Sequence, residues 1–220
     1  MILINTLLNY KNIIFDCDGV ILNSNHIKTN GFAKLFAKYP KEDVDRIIQY
    51  HKRHGGVSRF IKIKYFYEKV LKKNIKDKEI TKLAHKYGEI TLKDLFNCEL
   101  TPGFLDLLKF LKLKKYDLFV VSGSDEKDLI MLLKHKNIFN FFKLIKGSPK
   151  NKEENFIDIF PSKSDRKKSV YIGDSEYDYK SSLNVGLDFI FMQRFSEWNV
   201  NINFLKKNNI KYLFDFTLHL

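Results

Sequence analysis

Cysteine, arginine and acidic residues are scarce in this chain, and no long apolar run occurs. Two cysteines, Cys17 and Cys98, supply neither a disulfide framework nor a zinc ligand set. A reduced, cytoplasmic setting is therefore the default expectation. No stretch of about 18 apolar residues exists, so no membrane-spanning helix is expected. Met1 to Leu8 is apolar but has no basic leader and no small-residue cleavage site, which argues against a secretory signal. Acidic residues number 26 against 39 lysines and arginines, a net charge of +13 that on its face invites nucleic acid. The kind of base argues otherwise. Arginine is confined to Arg46, Arg53, Arg59, Arg166 and Arg194, while lysines are scattered along every helical segment. Readers of bases and phosphates favour the planar arginine fork. No specific nucleic-acid partner is expected, and the positive field serves instead to draw in an anionic small molecule.

The composition that remains, 44% hydrophobic and 30% charged, is that of an ordered globular chain. At 220 residues it is one large domain or a core with an insert. Apolar runs expected as strands fall at Asn12–Phe15, Asp117–Val121, Lys143–Lys146, Ser169–Ile172 and Asp188–Met192, with a weaker one at Ile210–Phe216. Helical patterns lie between them. Thr101-Pro102 offers an N-cap and an N1 proline to one, whose apolar face is Phe104, Leu107, Leu108 and Leu111. Ser124 offers a cap to the next, and Gly186 a stop to the helix after Asp174. This alternation predicts an α/β fold, a Rossmann-like parallel sheet with helices on both faces.

One region breaks the alternation. From His26 to Phe96 the pattern is helical throughout, with apolar stripes at Phe32/Leu35/Phe36, Val44/Ile47/Ile48, Phe60/Ile63/Tyr67/Val70/Leu71 and Ile80/Leu83/Ala84/Tyr87. The expected organisation is a core of residues 1–24 and 97–220, with an α-helical insert at 25–96. Each stripe is foremost a packing face.

The chemistry concentrates just after the first apolar run, in Phe15-Asp16-Cys17-Asp18-Gly19-Val20. Residues i and i+2 of a strand face one side, so Asp16 and Asp18 would arrive together at its carboxyl end, where open α/β sheets bind ligands. Two close carboxylates repel unless a cation or shared proton offsets them. A Mg²⁺ with oxygen ligands would do so, freeing one carboxylate for nucleophilic attack and the other for proton transfer. Cys17, between them, is turned away and read as a small buried hydrophobe.

The segment resembles the first motif of the haloacid dehalogenase (HAD) superfamily, whose phosphatases carry Asp-x-Asp-Gly-Val. Further resemblances follow in the family's order: Val120-Val121-Ser122-Gly123 to the second motif, Gly147-Ser148-Pro149-Lys150-Asn151-Lys152 to the lysine motif, and Gly173-Asp174-Ser175-Glu176-Tyr177-Asp178 to the acidic motif. The helical insert resembles the small α-helical cap of the phosphoglycolate phosphatase and β-phosphoglucomutase group. The resemblance implies a Mg²⁺-dependent phosphatase that hydrolyses a small phosphomonoester, a sugar phosphate or phosphoglycolate-like acid, through an aspartyl-phosphate. Asp16 would be the nucleophile, Asp18 the general acid and base, and Lys152 the cation that offsets their charge. Lys150 is the alternative lysine; the three-residue spacing from Pro149 favours Lys152. Ser122, Gly123, Gly19 and Lys150 would bind phosphate. Asp16, Asp18 (through its backbone carbonyl), Asp174 and Asp178 would hold the metal. The cap loop with His51, His54, Gly55, Gly56 and Arg59 would select the substrate. A phosphomutase using the same aspartates, and a binding or scaffold protein on a retired HAD core, remain open from the sequence.

Overall fold

The structure is a computed structural model that describes residues 6–217. The rest of the apolar N-terminal segment and of the expected core, 1–5 and 218–220, lies outside the described residues. Six strands are formed: β1 (Asn12–Phe15), β2 (Asp117–Asp125), β3 (Leu144–Ser148), β4 (Ser169–Gly173), β5 (Asp188–Met192) and β6 (Lys211–Leu213). They make one parallel sheet in the order β3-β2-β1-β4-β5-β6. Phe15 of β1 is in register with Val120 on one side and Ile172 on the other. The chain builds outward from β1 to β3, then crosses back to β4. The carboxyl ends of β1, β2 and β4 therefore flank the topological switch point, where such sheets bind ligands.

Both faces of the sheet are covered, which is why its central strands read as continuous apolar runs. Ile13, Phe15, Val120, Val170 and Ile172 point to one face and pack with helices at Phe104–Leu113 and Glu126–His135. Ile14, Phe119, Val121 and Tyr171 point to the other and pack with Phe156 and Phe160. Each fully buried side chain of this size contributes roughly 1.5–3 kcal/mol of burial.

Between β1 and the helix Phe104–Leu113 lie four α-helices: α1 (Asn25–Leu35), α2 (Lys41–Arg53), α3 (Arg59–Tyr65) and α4 (Asp77–Asn97). The third runs on as a π-helical turn at Phe66–Val70. They close around their own apolar cluster of Phe32, Phe36, Ile47, Ile63, Phe66, Ala84 and Tyr87. All four expected stripes supply residues to it.

Two helix starts differ from the sequence expectation, each because the hydroxyl of the expected cap is bonded elsewhere. Thr101 does not cap: its hydroxyl donates to the Val20 carbonyl at 2.6 Å, and Gly103 takes the N-cap position. Ser124 donates to the Asp18 carboxylate at 2.7 Å, so Asp125 caps the following helix, accepting from Lys127 N–H at 3.1 Å. Ser175 caps α9 (Glu176–Val185; α5–α8 being Phe104–Leu113, Glu126–His135, Lys152–Ile159 and Lys163–Arg166). Gly186 ends α9, as expected.

Candidate active site

Asp16 follows β1 directly, its N–H still bonded to Ile172 O across to β4 at 2.9 Å. Its side chain is buried; Oδ1 accepts from Cys17 N–H at 2.7 Å and Oδ2 from Lys152 Nζ at 2.9 Å. Lys152, the first residue of α7, is 1% exposed. It also binds Asp178 Oδ1 in a short ion pair and the Tyr171 hydroxyl at 3.0 Å. Burial alone would lower its basicity, but Asp16 and Asp178 together hold the ammonium well above the ordinary lysine value. Lys150, the alternative, is corrected. Its side chain is solvent-exposed and paired with Asp158 at 2.6 Å. An interval of two residues at the start of a helix turns one lysine inward and the other out.

Asp18 faces a different set of groups. Oδ1 accepts from the Ser24 hydroxyl at 2.6 Å and Oδ2 from the Ser124 hydroxyl at 2.7 Å, with Lys28 Nζ 3.4 Å away. Burial would raise it, yet Lys28 and the two hydroxyls hold it below the usual carboxylate value. Its carboxylate does not converge with the other three.

Those three do converge. Asp16, Asp174 and Asp178 each offer an oxygen within 4.8 Å of the others, all buried. Burial pushes Asp16 up to about 7 and Asp174 well above its ordinary range. One ammonium faces three carboxylates, which leaves negative charge that a divalent cation fits. Asp178 is already committed on both oxygens. Its Oδ2 accepts from the N–H groups of Asp174 and Ser175 at 3.1 and 3.0 Å and from the Ser175 hydroxyl at 2.7 Å. Among the described residues Asp174 instead has only Asn25 Nδ2, 2.7 Å from its Oδ2, as a side-chain hydrogen-bond partner.

Ser122 and Gly123, late in β2, line the cavity beside Asp16. Gly19 has φ +75°, and a Cβ there would lie 2.1 Å from Asp174 Oδ2. The absence of a side chain there admits the Asp174 carboxylate. Gly55 and Gly56 form the roof. Gly56 has φ +75°, and a Cβ on it would come within 3.0 Å of Lys152 Nζ and Ser175 Oγ. A Cβ on Gly123 would sit 1.9 Å from Gly56 O. Loop and β2 thus meet backbone to backbone over the carboxylates.

The cavity beneath has a volume of about 640 Å³. His51, His54 and Arg59 all line it, but in unlike ways. His54 is exposed and stacked on Tyr50, ring centroids 4.0 Å apart. His51 is buried against Phe32. Arg59 is buried and ion-paired with Asp128 at 2.5 Å and Asp125 at 3.4 Å, residues of β2 and α6. Its guanidinium ties the inserted helices to the sheet domain, which departs from a free substrate contact.

Sequence reasoning did not find Asn25, Lys28, Lys62, Tyr171 or Glu197. Asn25 and Lys28 had a usable signal: at i and i+3 in the first turn after the aspartates, they share one face. Arg59 and Lys62 repeat that spacing.

The fold is Rossmann-like α/β with helices inserted after its first strand, and the site is an acidic cluster with one buried lysine. The family model for haloacid dehalogenase-like hydrolases matches residues 13–192. The chain belongs to that family and is an enzyme of it. Among solved structures it is similar to a predicted phosphoglycolate phosphatase from Haemophilus somnus 129PT, at 20% identity and TM-score 0.71, covering 94% of this chain and 95% of that one. It is similar to β-phosphoglucomutase from Clostridium difficile at 19% identity and TM-score 0.72, covering 94% and 92%. CbbY from Rhodobacter sphaeroides, solved with phosphate, matches at 16% identity and TM-score 0.71, covering 94% and 95%. At these identities the likeness is one of fold. No helix among the described residues is long and apolar enough to cross a membrane.

Proposed function

We propose that the protein is a Mg²⁺-dependent phosphatase of small phosphomonoesters, working in the cytoplasm through an aspartyl-phosphate on Asp16. One observation carries the reading: a buried carboxylate at the floor of the cavity, with a buried lysine 2.9 Å from it. Asp16 Oδ forms the new bond to phosphorus as the bond to the leaving oxygen breaks. Water then attacks the same phosphorus and releases inorganic phosphate. Asp18 carries the protons: it takes one up with the substrate monoanion, gives it to the leaving oxygen, and then takes one from the attacking water. In the free protein Lys28, Ser24 and Ser124 keep it ionised, the form the water step needs. The Ser122 hydroxyl and the adjacent backbone supply donors to the phosphoryl oxygens. Asp16, Asp174 and the Asp18 backbone would hold Mg²⁺, whose chemistry there is to neutralise charge on the phosphoryl group. Asp178 serves by holding Lys152. The inserted helices act as a cap, with Gly55-Gly56 as the part that closes on the chemistry.

Phosphate release from p-nitrophenyl phosphate and a panel of phosphorylated metabolites tests this. We expect turnover with Mg²⁺ and none in excess chelator. Ca²⁺ should support far less, because it takes more ligands at longer distances. Full activity in chelator would remove the metal from the reading. A phosphomutase of the same family would isomerise its substrate without stoichiometric release of phosphate.

Arg59 acts here as a latch between cap and core. We expect Arg59→Ala to lower kcat/KM on every substrate by a similar factor, about tenfold, which corresponds to ~1.4 kcal/mol. A loss confined to one substrate in the panel would mark Arg59 as a direct substrate contact instead.

A further inference from the structure

The start of α1 reaches two of the site's carboxylates. Ser24, in the N-cap position, sends its hydroxyl to Asp18 instead of capping, and Lys28 reaches Asp18 as well. Asn25 turns the other way. Its Nδ2 lies 2.7 Å from Asp174 Oδ2 and 2.8 Å from the Phe195 carbonyl, so both amide hydrogens have acceptors. A carbonyl oxygen can only accept, which puts the amide nitrogen rather than its oxygen on this side. The contact spans 149 positions and joins the first residue of the inserted helices to the residue that follows β4.

The surroundings make room for this pair. At Gly19 a Cβ would lie 2.1 Å from Asp174 Oδ2 and 2.5 Å from Asn25 Nδ2. The segment after β5 closes the remaining side. There the Ser196 hydroxyl donates to the Asp174 carbonyl, and Trp198 N–H donates to Ser196 Oγ at 3.0 Å. Asp174 is thus held by its backbone from the sheet domain and by its side chain from α1. The kind of donor matters. A cation in the place of Asn25 would neutralise the carboxylate and compete with a metal ion for it. A neutral amide offers a hydrogen bond without a charge, and an ionised carboxylate keeps further lone pairs for a metal. Asp16 and Asp178 share the ammonium of Lys152, whereas Asp174 is the member of the cluster turned to the amide.

We propose that Asn25 is a positioning residue for the metal site: it orients the Asp174 carboxylate toward Mg²⁺ and ties metal affinity to the seating of α1 on the sheet domain. Hydrogen-bond partners of ligating groups act in this way, and their loss weakens metal binding by about 10–100-fold. By linkage, Mg²⁺ in turn favours the position of α1 in which Asn25 meets Asp174. This rests on the metal reading of the same carboxylates, and adds to it a residue from outside the sheet domain.

Titration of the substrate-free protein with MgCl₂ tests it, read by calorimetry. The emission of Trp198, the single tryptophan of the chain and a residue of the cavity wall, gives a second readout. Asn25→Leu keeps the approximate shape of the side chain and removes the donor. It should raise the Mg²⁺ dissociation constant by about tenfold or more. Thr29→Val, one turn further along α1, is the control. It removes this helix's other bond to the same segment, from Thr29 Oγ1 to Glu197 at 3.3 Å, without touching Asp174. It should leave the Mg²⁺ constant unchanged. In turnover the deficit of Asn25→Leu should shrink as Mg²⁺ is raised, with KM for the phosphoester unaltered. Should Asn25→Leu fail to fold by circular dichroism, Asn25→Ala takes its place. An unchanged Mg²⁺ constant in a folded Asn25 variant, or an equal weakening by Thr29→Val, would overturn the proposal while the metal reading stands. Absence of Mg²⁺ binding by the unsubstituted protein would overturn both. Failure of the phosphatase reading shows separately, as no phosphate released from any compound by the unsubstituted enzyme.

Discussion

Asp16→Asn should abolish turnover, with a loss of at least about 10⁴-fold, or ~5 kcal/mol of barrier. The amide keeps the shape of the carboxylate and can still accept from Cys17 N–H. It cannot attack phosphorus or bind a cation as an anion. Because the change also removes a charge that burial disfavours, the fold should survive it. Initial rates of phosphate release, with circular dichroism on the same preparation, check both halves. Activity within about tenfold of the unsubstituted enzyme, ~1.4 kcal/mol, would move the nucleophile elsewhere.

Lys152→Ala should cost both activity and stability, and Lys150→Ala neither. Lys152 is the sole ammonium in contact with Asp16 and Asp178 among the described residues. Without it three buried carboxylates face one another, a loss expected to destabilise the fold by about 3–5 kcal/mol. Lys152→Met keeps most of the side-chain volume and separates lost packing from lost charge. Lys150 forms an exposed pair with Asp158, and screening by solvent makes such pairs weak. Denaturant melts and phosphate release on the three variants give the comparison. A large effect at Lys150 with none at Lys152 would reverse the assignment.

The sheet was legible because its central strands are buried on both faces and read as unbroken apolar runs. The carboxylates were legible because a strand end and a helix start fix their neighbours in sequence. Legibility stopped where a contact joins distant parts of the chain. Arg59 meets Asp128 across 69 positions, and nothing at Arg59 marks it as a latch rather than a ligand. Lys62 is one of many lysines in a chain of net charge +13, and burial, not spacing, sets it apart. Thr101 and Ser124 looked like helix caps. Local spacing could not show that their hydroxyls were bonded to Val20 and Asp18. Lys150 and Lys152 were separable only by their spacing from Pro149, and the start of α7 gives that spacing its meaning.

Asp178 has a bearing on how this protein's relatives are to be read. One of its oxygens steadies Lys152, while the other closes the capping box that starts α9. Selection for a sound helix would therefore preserve Asp178 in a descendant that had given up chemistry. Asp16 and Asp174 cap no helix; burial drives both toward the neutral form, opposed at Asp16 by Lys152 and at Asp174 by Asn25 and Lys152. Among paralogues, the loss of Asp16 or Asp174 with Asp178 intact is the trace that retirement would leave, and the survival of Asp178 alone says little about whether an enzyme still works.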